Sequence, residues 1–224
     1  MISDITQGQL ATLSFTGRPL VICDVDEVIV HFTRDFEDYL GLHGLWLDTS
    51  SFALNGNIRH RESNAPAPEA QVADLIGSFF ETRTRHMQEI DGAVASLLEI
   101  GRTADVVLLT NLPHTAGDHR RENLKNHGLP YPVVTNSGPK GPAIRNLVDR
   151  GGRPVVFIDD SPSYLASAHD HAPEVHLIHF LHDDRFARHI EPLDYVSLRT
   201  ARWDEARDYV LKLLGASSLP QPAG

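Results

Sequence analysis

Several short apolar runs in this chain each stop abruptly at polar residues, and this recurrence narrows the folds open to it more than any other feature. Residues 20–23 (Leu-Val-Ile-Cys) run into Asp24-Val25-Asp26-Glu27. Residues 106–109 run into Thr110-Asn111, and residues 154–158 into Asp159-Asp160. Residues 175–181 run into His182-Asp183, and residues 131–134 form a weaker fifth run. A run with no polar face reads as a strand buried on both sides, the kind found in parallel sheets. Between the runs lie helical patterns at 91–100, 118–127, 142–150, 161–168 and 203–214. Gly101, Gly128 and Gly151 stop three of these helices, and Pro162 stands in the first turn of a fourth. Strand–helix alternation predicts an α/β fold: a Rossmann-like, three-layer parallel sheet with helices on both faces.

One stretch breaks the alternation. About sixty residues after the first run carry no convincing buried strand. Helical patterns appear at 33–42, with Phe36, Tyr39 and Leu40 on one face, and at 69–86, with Val72, Leu75, Ile76, Phe79 and Phe80. Residues 45–60 are mixed and residues 64–68 read as a turn. The expected organisation is a core domain of residues 1–31 and 90–224, with a small, mostly helical cap subdomain inserted at 32–89. A frayed tail is expected after residue 214.

Composition limits the partners. The 224 residues carry 20 Lys and Arg against 30 Asp and Glu, a formal charge of −10, which disfavours nucleic acid polymers and anionic membranes. Cys23 is the one cysteine, so neither an internal disulfide nor a thiolate zinc site is expected. Residues 1–9 lack a basic flank and an apolar stretch, and no run nears the roughly 18 residues needed to span a bilayer. A cytoplasmic protein, monomer or homodimer, is the expectation.

In an open α/β sheet, ligands bind beyond the carboxyl ends of the strands. Asp24 and Asp26, Thr110 and Asn111, and Asp159 and Asp160 should therefore meet in one crevice. Lys140, at the start of the helical pattern at 142–150, belongs there too. This ordered set resembles the haloacid dehalogenase-like hydrolase superfamily. Its motifs match Asp24-Val25-Asp26-Glu27-Val28, the run ending in Thr110, Lys140, and the run ending in Asp159-Asp160. The insertion also resembles a helical cap of that superfamily. One position departs: Glu27 stands where family phosphatases commonly have Gly.

The resemblance implies a Mg²⁺-dependent phosphomonoester hydrolase acting on a small phosphorylated metabolite. Asp24 would attack phosphorus and form an aspartyl-phosphate, with Asp26 as acid and then base. Asp24, Asp160 and the Asp26 carbonyl would hold Mg²⁺, with Asp159 as auxiliary ligand or anchor. Thr110, Asn111 and Lys140 would hold the phosphate oxygens. A cation is physically required, because two anions about 4 Å apart repel by roughly 4 kcal/mol at an effective dielectric of 20.

Each signal has a plainer reading. Paired Asp residues at strand ends often only cap turns. Lys125 competes with Lys140 but lies within a helical pattern, as on a solvated face. Asp183-Asp184 competes with Asp159-Asp160 but follows a run broken by His179 and His182. The histidines 169, 171, 176, 179 and 182 show no ligand spacing and read as surface or edge residues. Arg59, His60, Arg61, Arg83 and Arg85 could meet an anionic leaving group, though a solvated basic face fits slightly better. A 5′-nucleotidase is the alternative, with Trp46, Phe52 and Asn55 as base-contacting candidates. A phosphotransferase or mutase, or a non-catalytic phospholigand-binding module, stands behind it. A dehalogenase proper has no need of Asp26.

Overall fold

The computed structural model describes residues 2–51 and 53–217. Its main sheet has six strands: β1 (Pro19–Cys23), β4 (Asp105–Thr110), β5 (Val133–Thr135), β6 (Gly152–Asp159), β7 (His176–Phe180) and β8 (Leu198–Thr200). They are ordered β5-β4-β1-β6-β7-β8, and every pairing is parallel. Chain direction thus runs outward from β1 on one side, then crosses back to β6 on the other. That is a doubly wound sheet with its switch point at the carboxyl ends of β1 and β6.

The continuous apolar strands split cleanly between two cores. Val21 and Cys23 of β1, Val106 and Leu108 of β4, and Val156 and Ile158 of β6 face one hydrophobic cluster. Their alternates Leu20, Ile22, Val107, Leu109, Val155 and Phe157 face another. The first layer is filled from α4 (Ala93–Ile100) and α9 (Trp203–Ser217), the second from α6 (Gly141–Arg150) and α7 (Pro162–His171). The predicted three-layer arrangement is therefore present.

Residues 32–89 hold α2 (Phe32–Leu42), α3 (Glu69–Arg83) and an antiparallel hairpin of β2 (Leu45–Leu47) and β3 (Ile58–His60). The hairpin corrects the expectation of no strand there. Its two strands have three residues each, too few to display a period. The way in and the way out run side by side, through His31 N–H to Gln88 O (3.0 Å) and Ile90 N–H to Ile29 O (2.8 Å). Phe36, Phe79 and Phe80 of this stretch belong to the same cluster as Val21 and Ile158.

Three elements have no counterpart in the sequence reading: α1 (Asp4–Ala11), β8, and the short α8 (Asp184–Ala187). The helix α1 protects the sheet edge. Thr135 of β5 donates its N–H to Gln9 Oε1 (2.7 Å), and its carbonyl accepts from Thr6 Oγ1 (2.8 Å). An uncovered edge strand would present these groups to other chains. No helix among the described residues is long and apolar enough to cross a membrane. The frayed tail expected after residue 214 is helical to Ser217, and its remainder lies outside the described residues.

The clustered histidines scatter. His169 stacks on Tyr195 at 4.6 Å between ring centres, and His171 contacts its own helix at Ser167 O (2.9 Å). His182 meets His31 at 3.2 Å. His179, fully buried in β7, reaches Asp160 O at 3.0 Å through Nε2, and its Nδ1 has no partner. Burial lowers the His179 pKa to about 4. The unfolded chain therefore takes up a proton near pH 6.5 that the folded chain refuses until about pH 4, so stability falls as pH drops through that window. His179→Gln, which can still donate to Asp160 O, should make the fall shallower by up to about 1.4 kcal/mol per pH unit. Urea midpoints of both proteins between pH 7 and 4.5 measure it.

Candidate active site

At the end of β1 the ladder continues for one residue, with Asp24 N–H donating to Ile158 O at 2.9 Å. The chain then closes a tight loop. Val25 O accepts from the N–H groups of Val28 (3.3 Å), Ile29 (2.8 Å) and Val30 (3.0 Å). Val25, Val28, Ile29 and Val30 are fully buried, so the loop is anchored through its apolar residues while Asp24 and Asp26 turn toward a cavity.

Lys140 organises the floor. It stands at the start of α6, wholly buried, with Nζ 2.7 Å from Asp24 Oδ1 and 2.7 Å from Asp159 Oδ2. The Tyr164 ring lies 4.7 Å from Nζ. Burial by itself lowers an ammonium pKa, but Asp159 and Asp24 outweigh it and hold Lys140 charged well above its ordinary value. Asp159 is fully committed: its other oxygen accepts from Ser161 N–H at 2.8 Å. Asp160 has no such cation, and burial followed by Asp159 and Asp24 pushes its pKa well up. Beneath Lys140, Gly141 donates its N–H to Ser167 Oγ at 3.0 Å, and a Cβ there would lie 2.1 Å from Ser167 O. The floor thus depends on close contact between α6 and α7.

Asp26 is gripped by a residue that the sequence reading missed. Arg120, on α5 (Gly117–Asn126), is fully buried and pairs through Nη2 with Asp26 Oδ1. Arg120 also reaches Asn123 Oδ1 at 3.2 Å and Met87 Sδ at 3.3 Å. Thr110 Oγ1 is 3.4 Å from the second Asp26 oxygen. Burial raises the Asp26 pKa, and Arg120 draws it partly back. The sequence offered one signal: α5 is the least apolar helix pattern in the chain, and a polar helix over a sheet must bury something charged.

Glu27 takes a left-handed conformation, φ +59°, which glycine adopts without strain and glutamate adopts at a cost of about 1–2 kcal/mol. Its carboxylate turns away from the loop and accepts from Thr33 N–H at 2.6 Å, capping α2, whose own N-cap residue, His31, supplies no side-chain bond. Burial raises the Glu27 pKa to about 7, against the lowering effect of Thr33. The extra carboxylate therefore ties the loop to the first helix of the 32–89 stretch.

Asn111 is fixed from three sides. It donates to Gly138 O and Tyr164 Oη (both 2.8 Å) and accepts from Asn136 Nδ2 (2.9 Å). Asn136 and Tyr164 were also not singled out in the sequence. Their signals, an amide after a short strand and an aromatic in a helix, are generic.

These groups open on a cavity of about 400 Å³. Asp24, Asp26, Asn111 and Asp160 line its floor, whereas Thr110 and Lys140 do not line it. Among the other residues considered, Lys125 is exposed on α5. Asp183 caps α8 and accepts from Arg185 N–H at 2.9 Å. Cys23 is buried, and its pKa is raised first by burial and then by Asp24, which keeps the thiol protonated and unreactive. None of Arg59, His60, Arg61, Arg83 and Arg85 lines the cavity: Arg59 bonds Asn64 O (3.0 Å), Arg61 bonds Leu45 O (3.0 Å), Arg85 pairs with Glu122 (2.7 Å) and Arg83 lies over the Tyr39 ring at 5.9 Å. Trp46 and Asn55 do not line the cavity, and Phe52 lies outside the described residues.

The donor set fits a divalent cation. Asp24, Asp159 and Asp160 bring ligand oxygens within 4.8 Å of one another. Asp24 Oδ1 is buried without a well-formed hydrogen bond, its contact with Lys140 being an ion pair. Four carboxylates (Asp24, Asp26, Asp159, Asp160) face two buried cations, Lys140 and Arg120. An all-oxygen, charge-deficient site of this kind suits Mg²⁺.

No protein-family model matches the chain, and no curated protein matches it. Solved structures do. A haloacid dehalogenase-like family hydrolase from Streptococcus pneumoniae superposes with a TM-score of 0.60 at 12% identity, covering 87% of this chain and 99% of that one. A proposed hydrolase of the same type from Bacillus subtilis, bound to magnesium, gives 0.55 at 13% identity over 86% and 98%. An L-2-haloacid dehalogenase gives 0.55 at 10% identity over 87% and 100%. The fold is that of the haloacid dehalogenase-like hydrolases.

Removing the central cation tests the electrostatics of the floor directly. Lys140→Met leaves Asp24 and Asp159 buried without a cation and should cost about 3–5 kcal/mol of stability at pH 7. Because protonating the carboxylates relieves the strain, the deficit should shrink on going to pH 5. Chemical denaturation at the two pH values checks both parts.

Proposed function

We propose that this protein is a Mg²⁺-dependent phosphomonoester hydrolase acting on a small phosphorylated metabolite, with residues 32–89 as a cap over the site. One observation carries the reading: two carboxylates two residues apart, Asp24 and Asp26, reach one cavity floor, each held by its own buried cation. Asp24 is paired with a buried lysine and Asp26 with a buried arginine. A nucleophile and a separate proton carrier need this division of labour.

In this mechanism, Asp24 Oδ1 stays with Lys140, leaving Oδ2 to attack phosphorus in line. The bond from phosphorus to the ester oxygen breaks, and that oxygen takes a proton from Asp26, releasing the alcohol. A water then attacks the aspartyl-phosphate and gives a proton to Asp26. Phosphate leaves, and both carboxylates return to their starting states. Asp26 must carry a proton in the first half, and its burial favours this. Arg120 fixes where that proton is delivered. Asn111 stands on the cavity wall beside the transferring oxygens, and it would have to exchange its bond to Gly138 O or Tyr164 Oη to donate to them; Thr110, behind the wall, supports Asp26 instead. Lys140 acts through Asp24, since it does not reach the cavity. Asp24 and Asp160, with the Asp26 carbonyl, would hold Mg²⁺, which would supply charge neutralisation between nucleophile and substrate. Asp159 serves as anchor, because both of its oxygens are engaged.

Asp26 favours this reading over a dehalogenase, which has no leaving oxygen to protonate. A 5′-nucleotidase finds some support in the aromatic wall of Phe32 and Phe80, whose rings stack at 5.6 Å. It lacks the expected contribution of Trp46 and Asn55.

A screen across phosphate monoesters with and without Mg²⁺ tests the proposal. Asp24→Asn should abolish turnover while melting like wild type. Asp26→Asn should lose about 10²–10⁴-fold on an alkyl phosphate. It should lose far less on p-nitrophenyl phosphate, whose leaving group departs without protonation. Equal losses on both substrates would remove Asp26 from the acid role.

A further inference from the structure

The cavity that receives the phosphate is built in two zones of different chemistry. Its floor is polar, as described. Its walls and roof come from Phe32, Leu47, Leu54, Ile76, Phe80 and Leu181. No lysine or arginine lines it among the described residues. Hydroxyls of Thr33, Ser161, Ser163 and Tyr164 also border the cavity, those of Ser161 and Ser163 bonded to each other and that of Tyr164 to Asn111, and the charged or ring groups above the floor have partners within the protein. Glu27 holds Thr33 N–H, Asp183 holds Arg185, and His182 contacts His31. The wall is aromatic and packed: Phe32 stacks on Phe80 at 5.6 Å and meets Phe79 edge-on at 5.5 Å.

Resting on the phosphatase reading, we propose that the substrate is a monophosphate ester of an apolar alcohol, with the hydrocarbon part seated between Phe32, Ile76 and Phe80 above the Asp24–Asp26 floor. A sugar would set most of its hydroxyl groups against the apolar wall, and each one left unpaired there would cost roughly 1–3 kcal/mol. A second phosphate or a carboxylate would meet Glu27, which has no cation paired with it among the described residues, and would find no lysine or arginine in the lining. An alkyl or terpenoid chain meets neither obstacle and gains from every methylene buried. The cavity therefore selects by hydrophobic burial in the roof, while the phosphate is recognised on the floor.

The decisive probes are straight-chain n-alkylphosphonates, which bind as phosphate esters do but have no ester bond to hydrolyse. With Mg²⁺ present, calorimetric affinity of the full-length protein should rise about threefold to fourfold per methylene from methyl- toward octylphosphonate, following about 0.8 kcal/mol per CH₂, until the cavity is full. The values of kcat/KM for n-alkyl phosphates should climb in parallel, and butyl phosphate should exceed glucose 6-phosphate, fructose 1,6-bisphosphate and nucleoside monophosphates. Ile76→Asn, on a half-buried helix position, should flatten the chain-length dependence, and its melting curve reports whether it has folded. Octylphosphonate binding no tighter than methylphosphonate, or glucose 6-phosphate turning over faster than butyl phosphate, would overturn the inference. Chain-length-dependent phosphonate binding without hydrolysis of any ester would instead sink the phosphatase reading and leave the apolar site standing.

Discussion

A single buried ammonium holds the site together. Lys140 bridges the ends of β1 and β6, the two strands that flank the switch point of the sheet, by pairing with Asp24 on one and Asp159 on the other. Without it, two neighbouring strands would end in carboxylates facing each other in a dry interior. Desolvation makes an isolated charge there prohibitive, so cation and anions must arrive together or not at all. That requirement explains features around it. Helix α6 must begin at Lys140, Gly141 must lack a side chain so that α6 can sit against α7, and Tyr164 closes the remaining side of the ammonium.

Even with Lys140 and Arg120 in place, the carboxylates outnumber the buried cations. The imbalance is concentrated at Asp160, whose pKa is driven up by burial and by its acidic neighbours. A charge of −10 over the chain says little about this locality. What matters is that the deficit lies where an incoming cation and a phosphate could share it. Glu27 shows how the same chain avoids making the deficit worse. The glutamate occupies a backbone conformation suited to glycine, and the strain is offset by a capping bond that turns its charge toward the N-terminus of α2, where the helix dipole favours an anion. The position that departs from the family pattern thereby becomes a covalent and hydrogen-bonded link between the loop carrying Asp24 and Asp26 and the helix carrying Phe32.

The parallel strands were readable because each is buried on both faces, which leaves an uninterrupted apolar run and an abrupt polar end. The same property puts Asp24, Asp26, Asn111 and Asp160 just beyond strand ends, and all four line one cavity floor. Elements held by contacts with distant residues were not readable. The edge strand β8 has three residues and one buried side chain, and the β2–β3 hairpin is equally short. The helix α1 earns its place by side-chain bonds to Thr135, more than a hundred residues away. Arg120 was missed for a related reason. A buried arginine is legible only through its partner, and nothing in the sequence near residue 120 points to Asp26, 94 residues upstream. Lys140 stands at the start of α6 as expected, and there it pairs with Asp24 and Asp159.

Arg120 also bears on how the two halves of the molecule communicate. It pairs with Asp26, touches Met87 Sδ, and sits beside Asn123, which donates to Met87 O at 2.9 Å. Met87 lies on the return path from the 32–89 stretch, next to the paired segments at 29–31 and 88–90. Glu27 makes the corresponding link on the outgoing path. Both carboxyl residues that follow Asp24 in the loop are thus tied to the two connections that carry the apolar roof. The geometry of the Asp26 side chain therefore depends on the return path through Arg120, and that of the loop backbone on the outgoing path through Glu27, so neither connection can be repacked without disturbing the floor.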